Sequence, residues 1–253
     1  MRLPRSFEKC YVIWKQTKKE GQTMRILNLP KPGATEFQNA FNQKGVLNRV
    51  TWRIPPRISN GIVKPKSVKR ALGWRISNKK NPVVIGGIGS YHHLTYGLCA
   101  NLQESFGYVH IDRHSDYGDK DSSYICMGGF VEHLLSYTKA EAGLLIGCDQ
   151  RIETPTINHT QLGELEKRLH QELTSFPDRV YISVDLDVLD PLEFNSGYST
   201  GKMSVRQLFQ ALDIISERKR IIGGDIFGYA GNSEDSLNTA IECILKIYAN
   251  ISN

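Results

Sequence analysis

The sequence has few cysteines and no long apolar segment, and both absences exclude classes of protein. Its five cysteines are an odd number, lie far apart and form no Cys-x-x-Cys pair, which argues against a disulfide framework and against a structural zinc site. No apolar run approaches the roughly 18 residues that a membrane span needs, and the first ten residues lack the apolar stretch of a signal peptide. We therefore expect a soluble, cytoplasmic protein with no membrane partner.

Acidic residues are scarce in the first 80 positions, which hold 19 Lys or Arg and three Glu. The rest of the chain holds 13 basic and 23 acidic residues, so the net charge of +6 conceals a basic arm. Such an arm can bind nucleic acid or an anionic surface, but interleaved aromatics and a recognised nucleic-acid motif are lacking, which argues against a nucleic-acid partner. Solvated surface, contact with a neighbouring subunit of a homo-oligomer and a loosely ordered extension are the alternatives.

The pattern of apolar runs predicts an α/β protein. Residues 1–23 are weakly patterned and are expected to form a basic N-terminal extension, followed by a single domain over 24–253. In the first part of that domain we predict strands at 25–29 and 48–54, a helix at 35–43, and a long loop over 55–70, which is rich in Pro, Lys and Arg.

From residue 82 onwards, strand and helix patterns alternate regularly. Repeated strand, loop and helix units predict a three-layer α/β/α fold with a mostly parallel sheet. The predicted strands are 82–85, 107–111, 143–147, 179–185 and 220–226. The predicted helices are 90–104, 128–139, 159–174, one starting behind Ser204, and 234–249.

Potential metal ligands are concentrated directly after the strand at 107–111. Asp112, His114 and Asp116 lie on the loop at its carboxyl end, where α/β folds place ligands and catalytic groups. Three groups at this spacing project to the same side of an extended chain, so they can converge on one cation. The other interpretation is a polar turn with helix-capping aspartates.

A second cluster of carboxylates follows the strand at 179–185. Asp185 and Asp187 lie on one face of the strand, Asp190 follows, and Pro191 prevents the strand from continuing as a central one. Like carboxylates a few ångströms apart cannot all stay ionised without a counter-cation. The two clusters together therefore predict a divalent metal site.

Four motifs carry a resemblance to a known family: Val-Ile-Gly-Gly at 84–87, Asp-Arg-His-Ser-Asp at 112–116, Ser-Val-Asp-Leu-Asp-Val-Leu-Asp-Pro at 183–191 and Gly-Gly-Asp at 223–225. In order and spacing the chain resembles the ureohydrolases, the superfamily of arginase, agmatinase and formiminoglutamase. The resemblance implies an arginase-like fold and a two-manganese site that activates water for attack on a guanidine-type carbon. The metal ligands that it implies are Asp112, His114, Asp116, Asp185 and Asp187.

The first departure from the family concerns a sixth ligand, a histidine, whose position is taken by Gly89. His92 and His93 follow one helical turn later, about 5 Å further along the axis. A shift of register could bring one of them to the metal; otherwise they are packed or solvated nearby. We predict one or two bound Mn²⁺ ions, with one complete site. The ligands of that site are Asp112, His114, Asp185 and Asp187.

Two further departures concern the substrate. Gly228 stands where the family has an acid that pairs with a guanidinium group, and losing such a partner costs several kcal/mol of recognition. Free arginine and agmatine are therefore not expected as substrates. Cys126 and Met127 replace the family's His-Gly, which removes a proton-shuttling imidazole; Cys126 is a ligand, a nucleophile or an inert buried thiol.

These features leave two functions open. The first is a metal-dependent hydrolase that cleaves a C–N bond of a small molecule, in which His114 and Asp116 are the candidate catalytic residues. His114 would be the nitrogen ligand, and Asp116 would bind a second metal or orient water. The second is a catalytically inactive relative that serves as a metal-stabilised scaffold or binding protein. Both use the metal, because an unneutralised carboxylate cluster destabilises the fold.

Overall fold

The computed structural model describes seven segments of the chain: 25–27, 51–53, 61–76, 83–150, 152–196, 201–229 and 234–250. The expected extension at 1–23 and the predicted helix at 35–43 lie outside the described residues. Among the helices of the seven segments, none is long and apolar enough to cross a membrane.

In the described segments, eight strands form one sheet, and each pairing between them is parallel. The strands are β1 (Arg25–Leu27), β2 (Thr51–Arg53), β3 (Val83–Gly87), β4 (Phe106–Ile111), β5 (Ala140–Ile146), β6 (Thr156–Ile157), β7 (Arg179–Asp185) and β8 (Arg220–Phe227). Their order across the sheet is β2-β1-β3-β8-β7-β4-β5-β6.

Six α-helices accompany the sheet in the described segments. They are α1 (Pro65–Ile76), α2 (Leu94–Cys99), α3 (Val131–Tyr137), α4 (Leu165–Glu172), α5 (Val205–Arg218) and α6 (Glu234–Asn250). Short 3₁₀ turns lie at Gly89–Tyr91, His159–Glu164 and Leu186–Val188.

The two faces of the sheet are buried in two separate cores. In β4, Tyr108 packs with residues of α1, α2 and α3, whereas Val109 and Ile111 pack with residues of α4, α5 and α6. Successive side chains of a strand point to opposite faces, so both faces are covered by helices. The predicted three-layer α/β/α fold with a parallel sheet is confirmed.

Helix α1 corrects the prediction of a loop over 55–70, because it begins at Pro65. Proline suits the first position of a helix, where its missing N–H has no partner to lose. Val68 and Leu72, one helical turn apart, are each 1% exposed and anchor the helix on the core. Because Lys66, Lys69 and Arg70 interrupt the apolar positions of this helix, its periodic signal is too weak to predict it.

The strand order decides where the site forms. β7 and β4 are neighbours near the middle of the sheet, with β8 beside β7 and β5 beside β4. Since all four strands are parallel, the loops after their carboxyl ends meet at one edge of the sheet.

Helix α5 begins with the predicted capping box. Ser204 Oγ accepts the backbone N–H of Gln207 at 3.1 Å, and Gln207 Oε1 accepts the backbone N–H of Ser204 at 2.9 Å. We expect Ser204→Ala to lower the free energy of unfolding by about 1 kcal/mol, because a helix N–H loses its partner. Urea denaturation measures this. Ser216→Ala, whose hydroxyl bonds a carbonyl on an exposed part of the same helix, is the matched control; equal losses in both variants would contradict a capping role.

Candidate metal centre

Two aspartates lie side by side at the carboxyl edge of the sheet. β4 and β7 pair Ile111 with Val184, so the next residues, Asp112 and Asp185, lie next to each other at the carboxyl ends of the two strands. Both are almost fully buried, at 1% and 3% exposure. The fold therefore unites the two carboxylate clusters that the sequence shows about seventy residues apart.

The side chain of each of these aspartates forms a hydrogen bond with the backbone of the loop that follows it. Asp112 Oδ1 accepts the backbone N–H of His114 at 2.6 Å, and Asp185 Oδ1 accepts that of Asp187 at 3.1 Å. Such turns are typical of aspartate, whose side chain bonds the backbone two residues on. As a result, His114 Nδ1 lies 3.0 Å from Asp187 Oδ2 and 3.6 Å from Asp112 Oδ1.

Asp116 reaches the cluster from an unusual backbone conformation. Its φ of +47° lies in the left-handed region, which residues other than glycine seldom adopt. Its carbonyl oxygen accepts the backbone N–H groups of Phe130 and Val131, both at 2.9 Å, at the start of α3. The turn directs the carboxylate inward, where Asp116 Oδ2 lies 3.0 Å from His92 Nδ1.

The structure brings all five predicted residues together and adds His92. This ring is 1% exposed, and its Nδ1 lies 3.0 Å from Asp112 Oδ2 and 3.6 Å from Asp185 Oδ2. Of the two histidines, His92 thus lies at the cluster, whereas His93 is buried and stacks on Tyr91. The available signal was a histidine within one turn of the missing ligand, and sequence alone could not show the geometry of that turn.

Burial and mutual repulsion oppose ionisation of three of the carboxyl groups. Burial, and then repulsion by Asp112, raises the pKa of Asp116 to about 7 and that of Asp187 to about 6. Burial and repulsion by Asp187 raise the pKa of Asp185 well above its ordinary value. Burial would also raise the pKa of Asp112, but its contacts with the imidazoles of His114 and His92 hold that pKa well below its usual range.

In contrast to these carboxyl groups, the imidazoles of His92 and His114 are favoured in their charged form. Contacts with Asp112 and Asp187 raise the pKa of His114 to about 11. Burial lowers the pKa of His92, but its contacts with Asp112 and Asp116 overcome that effect and raise it well above the ordinary value. Without a cation, the cluster therefore balances its charge with protons on imidazoles and carboxyl groups.

The donor set fits a hard divalent cation. Ligand atoms within 4.8 Å of one another come from His92, His110, Asp112 and Asp116 in one group, and from Asp112, His114 and Asp187 in another. Carboxylate oxygens with a minority of imidazole nitrogens suit such ions. His92 Nδ1 and Asp187 Oδ1 are also among the buried atoms of the described segments that lack a hydrogen bond. Buried polar atoms without partners are rare, and a cation would satisfy both.

A cavity of about 260 Å³ opens over the cluster. Its floor is formed by His114 and the four aspartates, and its walls include Ser90, Met127, Gly128 and Gln150. Among the described lining residues, every acid belongs to the cluster itself. The cavity can therefore admit a small molecule, but its described lining residues offer no carboxylate outside the cluster.

Gly228 lies against Asp185 and cannot carry a side chain there. Its φ is +88°, and a Cβ would stand 2.2 Å from Asp185 Oδ1 and 2.7 Å from Leu186 N. An acid at this position is therefore incompatible with Asp185 as placed. Cys126 is partly buried and lies outside both ligand groups found in the described part of the chain.

Comparison with known sequences now identifies the family. The model of the Arginase family matches residues 53–249. An uncharacterized protein of Thermotoga maritima is 26% identical over 142 residues, which are 56% of this chain and 55% of that relative. The alignment with that relative thus spans about half of its length.

Solved structures share the fold at low sequence identity. A hypothetical agmatinase from Burkholderia thailandensis superposes with a TM-score of 0.71 at 16% identity, over 91% of this chain and 85% of that one. Proclavaminate amidino hydrolase from Streptomyces clavuligerus gives 0.68 at 18%, over 93% and 94%. Identities this low show a common fold alone, but the family model covers well over half of the chain. The chain belongs to the arginase family, as its motifs indicate.

Proposed function

We propose that this protein is a metal-dependent hydrolase that cleaves a C–N bond of a small molecule with metal-activated water. One observation carries the proposal: four buried aspartates and two imidazoles converge in one cluster, and the aspartates and one imidazole line a cavity that opens to solvent. We propose Mn²⁺ as the ion, because the donors are mainly carboxylate oxygens.

The roles of the residues follow from their positions. Asp112, His114, Asp185 and Asp187 would hold one ion, and Asp116 would hold a second or orient water. A cation bound there would lower the pKa of water and polarise the group under attack. The side chain of His114 is 42% exposed, whereas that of Asp112 is 2% exposed. The substrate would therefore approach over the imidazole, and the buried aspartates would be shielded from bulk water.

The substrate is proposed to be an amide, an amidine or a guanidino compound other than free arginine or agmatine. The described cavity walls offer no carboxylate for a guanidinium group, and Gly228 leaves no space for one beside Asp185. The similar protein from Streptomyces clavuligerus is named as an amidino hydrolase, which supports the inclusion of amidino compounds.

A metal-stabilised scaffold without catalysis is the second candidate. The replacement of an imidazole by Cys126 and of an acid by Gly228 favours it, since both changes remove groups that the resemblance assigns to proton transfer and substrate recognition. This candidate predicts full metal binding without turnover.

A substrate screen distinguishes the two candidates. With Mn²⁺, we expect release of ammonia or an amine from at least one compound of the amide, amidine and guanidino classes. Asp185→Asn should lower kcat/KM about a thousandfold, because a ligand of the activating cation is worth several kcal/mol. Asp178→Asn, at the exposed opposite end of β7, is the matched control. Metal binding without release from any class would sink the hydrolase and favour the scaffold.

Metal removal should make stability depend on pH in a defined sense. In the metal-free chain the pKa values of Asp116 and Asp187 are raised to about 7 and about 6, so their contribution to stability is present at acid pH and lost as pH rises through that window. Mn²⁺ competes with these protons. The gain in Tm on replacing chelator by Mn²⁺ should therefore be larger at pH 8 than at pH 5.5; equal gains would contradict this prediction.

Gly228 can be tested by adding one methyl group. Gly228→Ala should lower the free energy of unfolding by about 2 kcal/mol, through strain at positive φ and a clash with Asp185. It should also weaken Mn²⁺ binding, measured by isothermal titration calorimetry, because Asp185 must move. Gly163→Ala is the control, since a Cβ there meets nothing within 4 Å. Unchanged metal affinity in Gly228→Ala would show that the glycine does not constrain the site.

A further inference from the structure

We infer that His92 is a metal ligand and that the chain thereby assembles two cation sites instead of one complete site. His92 would hold the second ion together with Asp112, Asp116 and Asp185. This inference rests on the proposed metal-dependent function, and it assigns a ligand to a position three residues beyond the one at which the resemblance places a histidine.

The environment of His92 Nδ1 is the first argument. The ring is 1% exposed, and Nδ1 lies 3.0, 3.0 and 3.6 Å from oxygens of Asp112, Asp116 and Asp185. Despite these close oxygens, Nδ1 is in hydrogen-bond geometry with none of them. The ligand atoms of His92, Asp112 and Asp116 lie within 4.8 Å of one another, which is close enough for them to share one cation.

The other nitrogen of the ring fixes the tautomer. His92 Nε2 lies 2.8 Å from Ser183 Oγ, and Ser183 Oγ lies 2.5 Å from Asp225 Oδ1. Tyr181 donates its hydroxyl to the other oxygen of Asp225 at 2.8 Å. Ser183 donates its hydroxyl to Asp225, so its oxygen accepts from Nε2–H. The neutral ring then carries its lone pair on Nδ1, as a metal-ligating histidine with such a supporting partner does.

His110, which lies in the same group of potential ligands, is already occupied. Its Nδ1 lies 2.9 Å from the Tyr108 hydroxyl and its Nε2 lies 3.2 Å from the carbonyl oxygen of His114. Its ring stacks on that of His92 with centroids 5.1 Å apart and planes 13° apart. We therefore assign His110 the role of holding the His92 ring plane, and His92 the role of the ligand.

The local backbone explains why the ligand comes from position 92. A Cβ at Gly89 would stand 2.7 Å from Asp185 Oδ2, so a side chain there would require the Asp185 carboxylate to shift. Gly89–Tyr91 forms a 3₁₀ turn, and the N–H of His92 bonds the carbonyl of Gly89 at 2.8 Å. In a 3₁₀ turn, residues three apart eclipse one another. His92 therefore projects over Gly89 toward the same cluster.

A different role for His92 would be that of a protonated imidazole standing in place of the second ion. That role predicts one bound ion in the intact protein, whereas ligation predicts two. The two readings are thus separated by stoichiometry, which does not depend on finding a substrate.

The test measures manganese per chain by elemental analysis after saturation with Mn²⁺ and gel filtration. We expect two ions per chain in the unmodified protein, two in His93→Asn and one in His92→Asn. Electron paramagnetic resonance should show a spin-coupled Mn²⁺ pair that His92→Asn converts to an isolated ion. One ion in the unmodified protein, or two in His92→Asn, would overturn the inference.

Ser183→Ala provides a second variant in case His92→Asn does not fold. Losing the partner of Nε2 should weaken the second ion by roughly 10- to 100-fold, seen as one weakened step in a Mn²⁺ titration while the first step stays. Unchanged affinity in both steps would count against ligation by His92. Two ions without turnover of any substrate would keep this inference and reject the hydrolase, whereas turnover with one ion per chain would do the reverse.

Discussion

The crowding of four buried carboxyl groups at the ends of two neighbouring strands is the constraint on which the site depends. Asp112 and Asp185 leave paired strands side by side, so their proximity is fixed by the register of the sheet. The residues around them are shaped accordingly. Gly89 and Gly228 both face Asp185 so closely that a Cβ at either position would collide with its carboxylate. The departures from the family motifs at these two positions therefore share one physical cause, which is close packing against the Asp185 carboxylate.

Much of the fold and the proximity of the aspartates in the site could be predicted from sequence. β4 and β7 are buried apolar runs that end directly in carboxylates, and parallel strands place their carboxyl ends at one edge. Those two facts suffice to predict that Asp112 and Asp185 meet. The helix cap at Ser204 could also be predicted from sequence, because its hydrogen bonds join residues that are only three positions apart.

The features that sequence did not predict depend on tertiary geometry. The place of His92 depends on a 3₁₀ turn in which residue 92 eclipses residue 89, and an ordinary α-helical turn would place it differently. Helix α1 has a weak apolar stripe, since Val68 and Leu72 stand among basic residues. β6 is two residues long, so its existence depends on pairing with β5 and not on its own composition.

The segment from 117 to 129 is closed at its base by backbone hydrogen bonds, and no ligand side chain takes part in them. The carbonyl oxygen of Asp116 accepts N–H groups on the far side of the segment, and Val63 and Ile125 exchange two backbone hydrogen bonds at 2.9 and 2.8 Å. Met127 and Gly128, which line the cavity, lie on this segment. It behaves as a self-contained Ω-type loop, in which insertions or exchanged side chains alter the cavity wall while the register of β4 and β7 stays intact. This part of the cavity wall can thus change in shape and polarity without any change to the strands that carry Asp112 and Asp185.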